Sequence, residues 1–151
     1  MKKILMASIA VFALGAGSAF ADQTSAAAYA DMEKTLGGVP SMFKAFPEAG
    51  VAGAWDEFKS VQLNPETALD DKTKELIGLA VAAQIPCSYC IYFHTRAAKA
   101  GGATDEQIRE AVAMSAIVRH WSTVLNGMQV DQATFRAEVD AMMGAAPKTS
   151  N

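Results

Sequence analysis

Two cysteines and a histidine lie close together in the segment that runs from residue 86 to residue 94. Cys87 and Cys90 are three residues apart, and His94 follows four residues after Cys90. On an α-helix these intervals place the three side chains on one face, with the imidazole one turn beyond Cys90. Pro86 is suited to the first position of such a helix, because its missing N–H group would have no partner there. Both thiols would then lie at the positive end of the helix dipole, which favours a thiolate.

This cysteine pair is compatible with several kinds of chemistry. A c-type haem site is excluded, because it requires histidine directly after the second cysteine, where this chain has Ile91. A zinc site would need a fourth ligand from elsewhere, whereas structural zinc sites usually combine two such clusters. A structural disulfide would close a loop too short to restrict the unfolded chain strongly. A redox-active dithiol accounts for the spacing, the helix position and the histidine together, and the residues favour it.

Glu75 is a second candidate for chemistry, since it comes directly before the apolar stretch of residues 76–83. It would either stabilise the first turn of its helix through the helix dipole, or fold back across the break at residues 85–86 and act as a base near the thiols. The spacing favours neither interpretation. The other histidine, His120, is interpreted as a packed or surface residue.

The rest of the chain predicts helices that would position these residues. Apolar residues recur at helical spacing, and no long stretch alternates with the period of two expected of a strand. Glycine, proline and capping residues mark the helix boundaries, above all Thr104 and Gln107, whose spacing is that of a capping box. The sequence therefore predicts an all-α, single-domain bundle of about six or seven helices, at residues 25–36, 41–46, 49–62, 70–84, 87–100, 104–126 and 131–143.

The composition excludes several classes of protein. Of the 151 residues, 51% are hydrophobic and 19% are charged, which excludes an intrinsically disordered chain. The formal net charge is −3, so binding to nucleic acid or to an anionic membrane surface is disfavoured. Two cysteines are too few for a disulfide-rich scaffold.

Residues 1–21 have the three-part layout of a secretory signal peptide. Lys2 and Lys3 come before the apolar run of residues 4–16, and residues 19–21, Ala-Phe-Ala, fit the cleavage pattern. We therefore expect a mature domain of residues 22–151, located in the periplasm and without a membrane anchor.

The four candidate residues, taken together, resemble a known active-site signature. Glu75, Cys87, Cys90 and His94 have the spacing found in the alkylhydroperoxidase AhpD-like proteins of the carboxymuconolactone decarboxylase family. The resemblance covers about residues 40–127. It implies that Cys90 attacks the peroxide and becomes a sulfenic acid, and that Cys87 donates a proton and then forms a disulfide with it. Glu75 and His94 would form a proton relay.

The resemblance also implies partners and an assembly. It implies a hydroperoxide substrate, a separate thiol reductant, and no cofactor or metal ion. The best-known members carry histidine where this chain has Tyr89, and they are cytoplasmic, so a periplasmic member would need another electron donor. Members are typically trimers or hexamers. A homo-oligomer is also indicated by large apolar side chains in two predicted helices, namely Val51, Trp55, Phe58, Phe135, Met142 and Met143.

The function expected from the sequence is therefore a periplasmic thiol-dependent peroxidase that cycles through a Cys87–Cys90 disulfide. Two alternatives stay open. One is a thiol-disulfide oxidoreductase without peroxide chemistry, and the other is a non-enzymatic oligomeric binding protein whose disulfide is structural.

Overall fold

A computed structural model describes residues 24–145 as seven α-helices and one π-helical segment, with no strand in that range. The predicted signal peptide lies outside the described residues. The all-α prediction is confirmed. The elements are α1 (Ser25–Leu36), α2 (Ser41–Lys44), α3 (Glu48–Glu57) with the π-helical segment Phe58–Gln62 directly after it, α4 (Asp71–Gln84), α5 (Ser88–Ala100), α6 (Asp105–Gly127) and α7 (Gln132–Ala145).

Three helices begin directly after a residue whose side chain caps them. The side chains of Thr24, Asp70 and Thr104 each accept a hydrogen bond from the backbone of the first turn that follows. At α6 the capping box is complete, because the Gln107 side chain also accepts from the N–H of Thr104. Helix α1 ends at Gly37, whose φ of 75° is a left-handed conformation that suits glycine.

The chain forms two compact units, divided between Lys59 and Ser60. In the described part of the first unit, α3 packs against α1 and α2. Val51 and Trp55 are fully buried there. Both were among the large apolar residues from which an oligomer is predicted, but their side chains lie in the core of the protomer with Ala28, Met32 and Phe43, so they do not support a subunit interface.

In the second unit α4 is the central helix, and it packs against both α5 and α6. Leu79 and Ala82 of α4 and Ala98 of α5 are buried. Gln84 ties the carboxyl end of α4 to α6, because its Nε2 donates to the Ser115 carbonyl oxygen at 2.8 Å. The helix that carries Glu75 is thus held on two sides.

Between residues 24 and 145, no helix combines the length and the apolarity needed to cross a bilayer.

Candidate active site

The turn between α4 and α5 sets the position of the first cysteine. The N–H of Cys87 donates to the carbonyl oxygen of Ala82 at 3.1 Å, and its backbone is extended, with φ −89° and ψ 100°. Cys87 is therefore the N-cap of α5, and its Sγ accepts the N–H of Cys90 at 3.2 Å. The sequence predicts Pro86 at the first helical position. That is wrong, because the chain reaches helical geometry only at Ser88.

Cys87 and Cys90 form a disulfide, with their Cα atoms 5.3 Å apart. Cys87 is the N-cap and Cys90 the third residue of α5, so the helix itself brings the two sulfurs together. Both cysteines are half-buried, whereas Tyr89 between them is 87% exposed. The disulfide thus lies next to solvent in the protomer, where a small substrate or a protein thiol can approach this turn.

Glu75 is 7% exposed and lies in the second turn of α4. Its Oε2 is 2.7 Å from Nδ1 of His94 on α5. The first turn of α4 is instead capped by Asp70 and carries Asp71, so the helix-dipole interpretation of Glu75 does not describe its contacts. The structure joins this carboxylate to the imidazole one helical turn beyond Cys90.

The second carboxylate oxygen has a partner that the sequence analysis missed. Nε2 of Gln62 donates to Oε1 of Glu75 at 3.1 Å. Gln62 is the last residue of the π-helical segment. The sequence offered a weak signal, since the Asn64-Pro65 break follows Gln62 closely, and short π-helical segments often occur at functional sites. A π-turn cannot be recognised from the apolar periodicity, which continues through this stretch.

Gly78 makes room for the histidine. It lies one turn after Glu75 on α4, and a Cβ atom at this position would come within 2.8 Å of His94 Nε2 and closer to other ring atoms. Real Cβ atoms do not approach other atoms so closely. The bare backbone at Gly78 therefore lets the ring lie against α4 and reach Glu75.

Other candidates are placed outside this cluster. His120 is an exposed residue of α6 whose ring stands edge-on to Trp121, with centroids 5.2 Å apart. Within residues 24–145, no three His, Cys, Asp or Glu side chains are grouped closely enough to hold a metal ion. The two sulfurs are bonded to each other, so in this state neither is a thiolate ligand.

Similarity to known proteins identifies the family to which this chain belongs. The chain aligns with a structure of the alkylhydroperoxidase AhpD core from Rhodospirillum rubrum at 33% identity and a TM-score of 0.62, covering 74% of this chain and 85% of that one. It also matches a Paracoccus denitrificans protein described as uncharacterized protein 4 in the cox locus, with 48% identity over 52 residues. That match covers 34% of this chain and 47% of the relative, about half of its length. The model of the carboxymuconolactone decarboxylase family matches residues 49–133, which include all four site residues, so the chain belongs to that family and has an AhpD-like fold.

Proposed function

We propose that this protein is a thiol-dependent peroxidase that reduces hydroperoxides through Cys87 and Cys90. The observation that carries the proposal is the partly buried hydrogen bond from Glu75 of α4 to His94, which lies on the helix that begins with the cysteine pair. A structural disulfide has no need of a buried carboxylate–imidazole pair one turn away. Such a pair can accept and pass on the proton of a nearby thiol.

The first step is attack by the Cys90 thiolate on the outer oxygen of the hydroperoxide. The O–O bond breaks, Cys90 becomes a sulfenic acid, and the alkoxide takes a proton to leave as an alcohol. The Cys87 thiol then attacks the sulfenic sulfur, which forms the disulfide and releases water. In sum, one hydroperoxide and two thiols give one alcohol, one water and one disulfide.

Glu75 and His94 take up the proton that the Cys90 thiol loses in this step. The Glu75 carboxylate accepts a hydrogen bond from Nδ1–H of His94, which leaves Nε2 as the basic nitrogen of the ring. That nitrogen takes the proton of the Cys90 thiol, and the carboxylate stabilises the imidazolium that results. Cys90 and His94 are four residues apart on α5, about 6 Å along the helix axis.

The oxidised pair needs a reductant to complete the cycle. A dithiol protein would attack the disulfide, form a mixed disulfide and leave with the two oxidising equivalents. The exposure of the turn around Tyr89 supports access by such a partner. The signal-peptide pattern of residues 1–21 supports a periplasmic location, and the donor would then belong to that compartment.

One observation favours a second function, thiol-disulfide exchange without peroxide. Cys87 is the N-cap, and its Sγ accepts the N–H of Cys90. In the reduced protein this N–H and the helix dipole would stabilise a thiolate at Cys87. Cys87 would then attack a substrate disulfide, and Cys90 would resolve the mixed disulfide.

Thiol titration of the reduced protein tests the main proposal. Addition of one equivalent of hydroperoxide should consume the peroxide and remove two free thiols per chain, without any added disulfide. The exchange function predicts intact peroxide and intact thiols, followed by thiol loss when a disulfide substrate is added. A structural disulfide predicts neither reaction.

Single cysteine variants identify the attacking sulfur. Cys87→Ser should still react with peroxide and should accumulate a sulfenic acid that a dimedone-type probe labels, because no second thiol can resolve it. Cys90→Ser should neither consume peroxide nor become labelled. Labelling of Cys90→Ser alone would assign attack to Cys87 and contradict the proposed step.

A further inference from the structure

Gln62 and His94 each contact one oxygen of the Glu75 carboxylate. Oε1 receives the Gln62 amide at 3.1 Å, and Oε2 meets His94 Nδ1 at 2.7 Å. The two contacts come from different parts of the chain, because Gln62 precedes α4 whereas His94 lies on α5. Each oxygen of this buried carboxylate therefore has one partner of its own.

The Gln62 contact has a fixed direction. The amide nitrogen faces the carboxylate, because an amide oxygen there would set lone pair against lone pair. An N–H donor stabilises the charged carboxylate and makes Oε1 an unfavourable place for a proton. Oε2 is then the oxygen that can share a proton, and it is the oxygen that faces the imidazole.

We propose that Gln62 is a positioning residue for the peroxidase reaction, which orients the Glu75 carboxylate and restricts its proton exchange to the Oε2–His94 side. The proposal rests on the function proposed above, and it adds a residue that acts through Glu75 rather than on the substrate. Its amide holds one carboxylate oxygen and prevents the carboxyl group from rotating away from the imidazole.

Two charged side chains that belong to or contact α4, those of Lys74 and Arg119, bind partners other than Glu75. On α4 the neighbouring Lys74 directs its ammonium to the Asn64 carbonyl oxygen at 2.6 Å and to Asp71 at 3.5 Å. On α5 the titratable contact of Glu75 is His94 itself. On α6 the Arg119 guanidinium binds Gln84, which lies nine residues and about 13 Å along α4 from Glu75.

Two titrations test the proposal in the reduced full-length protein. The first is the pH dependence of the peroxide reaction rate. Gln62→Leu removes the donor at similar side-chain size, so the charged form of the carboxylate loses one of its two hydrogen bonds. The acid limb of the profile should move up by about one to two pH units, which is the size expected for a lost hydrogen bond to a charged group.

The second titration does not depend on peroxide chemistry. The chain contains two histidines, so ¹⁵N signals of both imidazoles can be followed with pH in one sample. In Gln62→Leu the acid step sensed by the His94 ring should move up like the rate profile, while His120 on α6 serves as the internal reference. If the wild type leaves peroxide intact, the proposed function fails, and this titration still decides the role of Gln62.

Matched variants separate positioning from general loss of packing. Gln84→Leu also removes a glutamine side-chain hydrogen bond to α6, and it should leave both titrations unchanged. Gln62→Glu has the size of glutamine but places a like charge beside Glu75. It should therefore move the acid step further than Gln62→Leu does. It also replaces Gln62→Leu as the test variant if the leucine protein does not fold. An unchanged His94 titration in the folded Gln62 variant, or an equal shift in Gln84→Leu, would overturn the proposal.

Discussion

At the scale of single residues, Glu75 joins the helix α4 to the chemistry of α5. Its carboxylate is buried, yet both oxygens are hydrogen-bonded, so the charge is satisfied where water is excluded. A carboxylate in this position can stabilise an imidazolium without leaving its contacts. That is the property a relay requires at the moment when a thiol loses its proton.

We expect Glu75→Gln to slow the reaction with peroxide by about 10²–10⁴-fold, the usual contribution of a positioned acid–base group. The substitution keeps the size of the side chain and removes its charge, so the imidazolium loses its stabilising partner. The rate is measured by stopped-flow on the reduced protein, with circular dichroism to check the fold. Glu110→Gln, at an exposed position on α6, serves as the control. A wild-type rate in Glu75→Gln would remove Glu75 from the mechanism.

Spacing alone nominated Cys87, Cys90 and His94 from the sequence. Glu75 was open between two roles, and only the family resemblance assigned it to the site. The pairing of the cysteines and the Glu75–His94 contact follow from helical spacing plus one tight turn. Gln62 and Gly78 could not be found in this way. Their roles depend on how α4 packs against neighbouring segments, and a glutamine or a glycine carries no chemical signature of its own.

At the scale of elements, the close contact between α4 and α5 depends on Gly78. We expect Gly78→Ala to destabilise the protein by about 1–3 kcal/mol, because the new methyl group overlaps the His94 ring. The displaced ring should also lose its short contact with Glu75, so the peroxide reaction should slow as well. Urea unfolding and the stopped-flow rate measure the two effects.

The sign of the stability change makes this prediction specific. In a helix, replacement of glycine by alanine normally stabilises by up to about 1 kcal/mol. Gly53→Ala provides that reference, because a Cβ atom at Gly53 on α3 meets no atom within 4 Å. We expect opposite signs for the two substitutions. Stabilisation by Gly78→Ala would mean that the ring and the helix can move apart without cost.

In the first unit, Asp31 joins α1 to α3. The Lys59 ammonium at 2.6 Å, and then the Trp55 indole N–H at 2.8 Å, lower the pKa of the Asp31 carboxyl below its usual range. A carboxyl group whose pKa is lower in the folded state stabilises the protein above about pH 4, and this contribution is lost as the pH falls through the folded-state value.

We therefore expect Asp31→Asn to lower the urea midpoint at pH 7, with the difference from wild type narrowing as the pH falls below about 4. Urea unfolding at pH 7 and at a pH below about 4, followed by circular dichroism, measures this difference. Asp56→Asn, an exposed position on α3, is the control. A constant difference at all pH values would show that the charge of Asp31 is not what stabilises α1 against α3.

At the scale of the whole molecule, helix content was readable from the sequence because caps and breaks are local. Thr104 and Gln107 act within one turn, and Gly37 ends α1 by its own conformation. Burial was less readable. Val51 and Trp55 have the apolar character of interface residues, and only the packing of α3 against α1 shows that they belong to the core.

An apolar stripe on α6 now gives the homo-oligomer prediction a better basis. Met114, Ile117, Val118 and Trp121 are between 49% and 63% exposed. They follow the spacing i, i+3, i+4, i+7, which places them on one face of the helix. Soluble monomers seldom expose a contiguous apolar face of this kind. Ser115 on the same helix is buried, and its backbone carbonyl oxygen accepts a hydrogen bond from Gln84 of α4.

We expect light scattering at micromolar concentration to give the mass of a trimer or a hexamer, and Val118→Glu to reduce it, because burial of an unpaired charge in an apolar interface is strongly unfavourable. Ala116→Glu places the same charge on an exposed position away from the stripe and should leave the mass unchanged. The wild type running as a monomer would exclude the assembly. An oligomer that tolerates Val118→Glu but not Ala116→Glu would instead place the interface on the opposite face of α6.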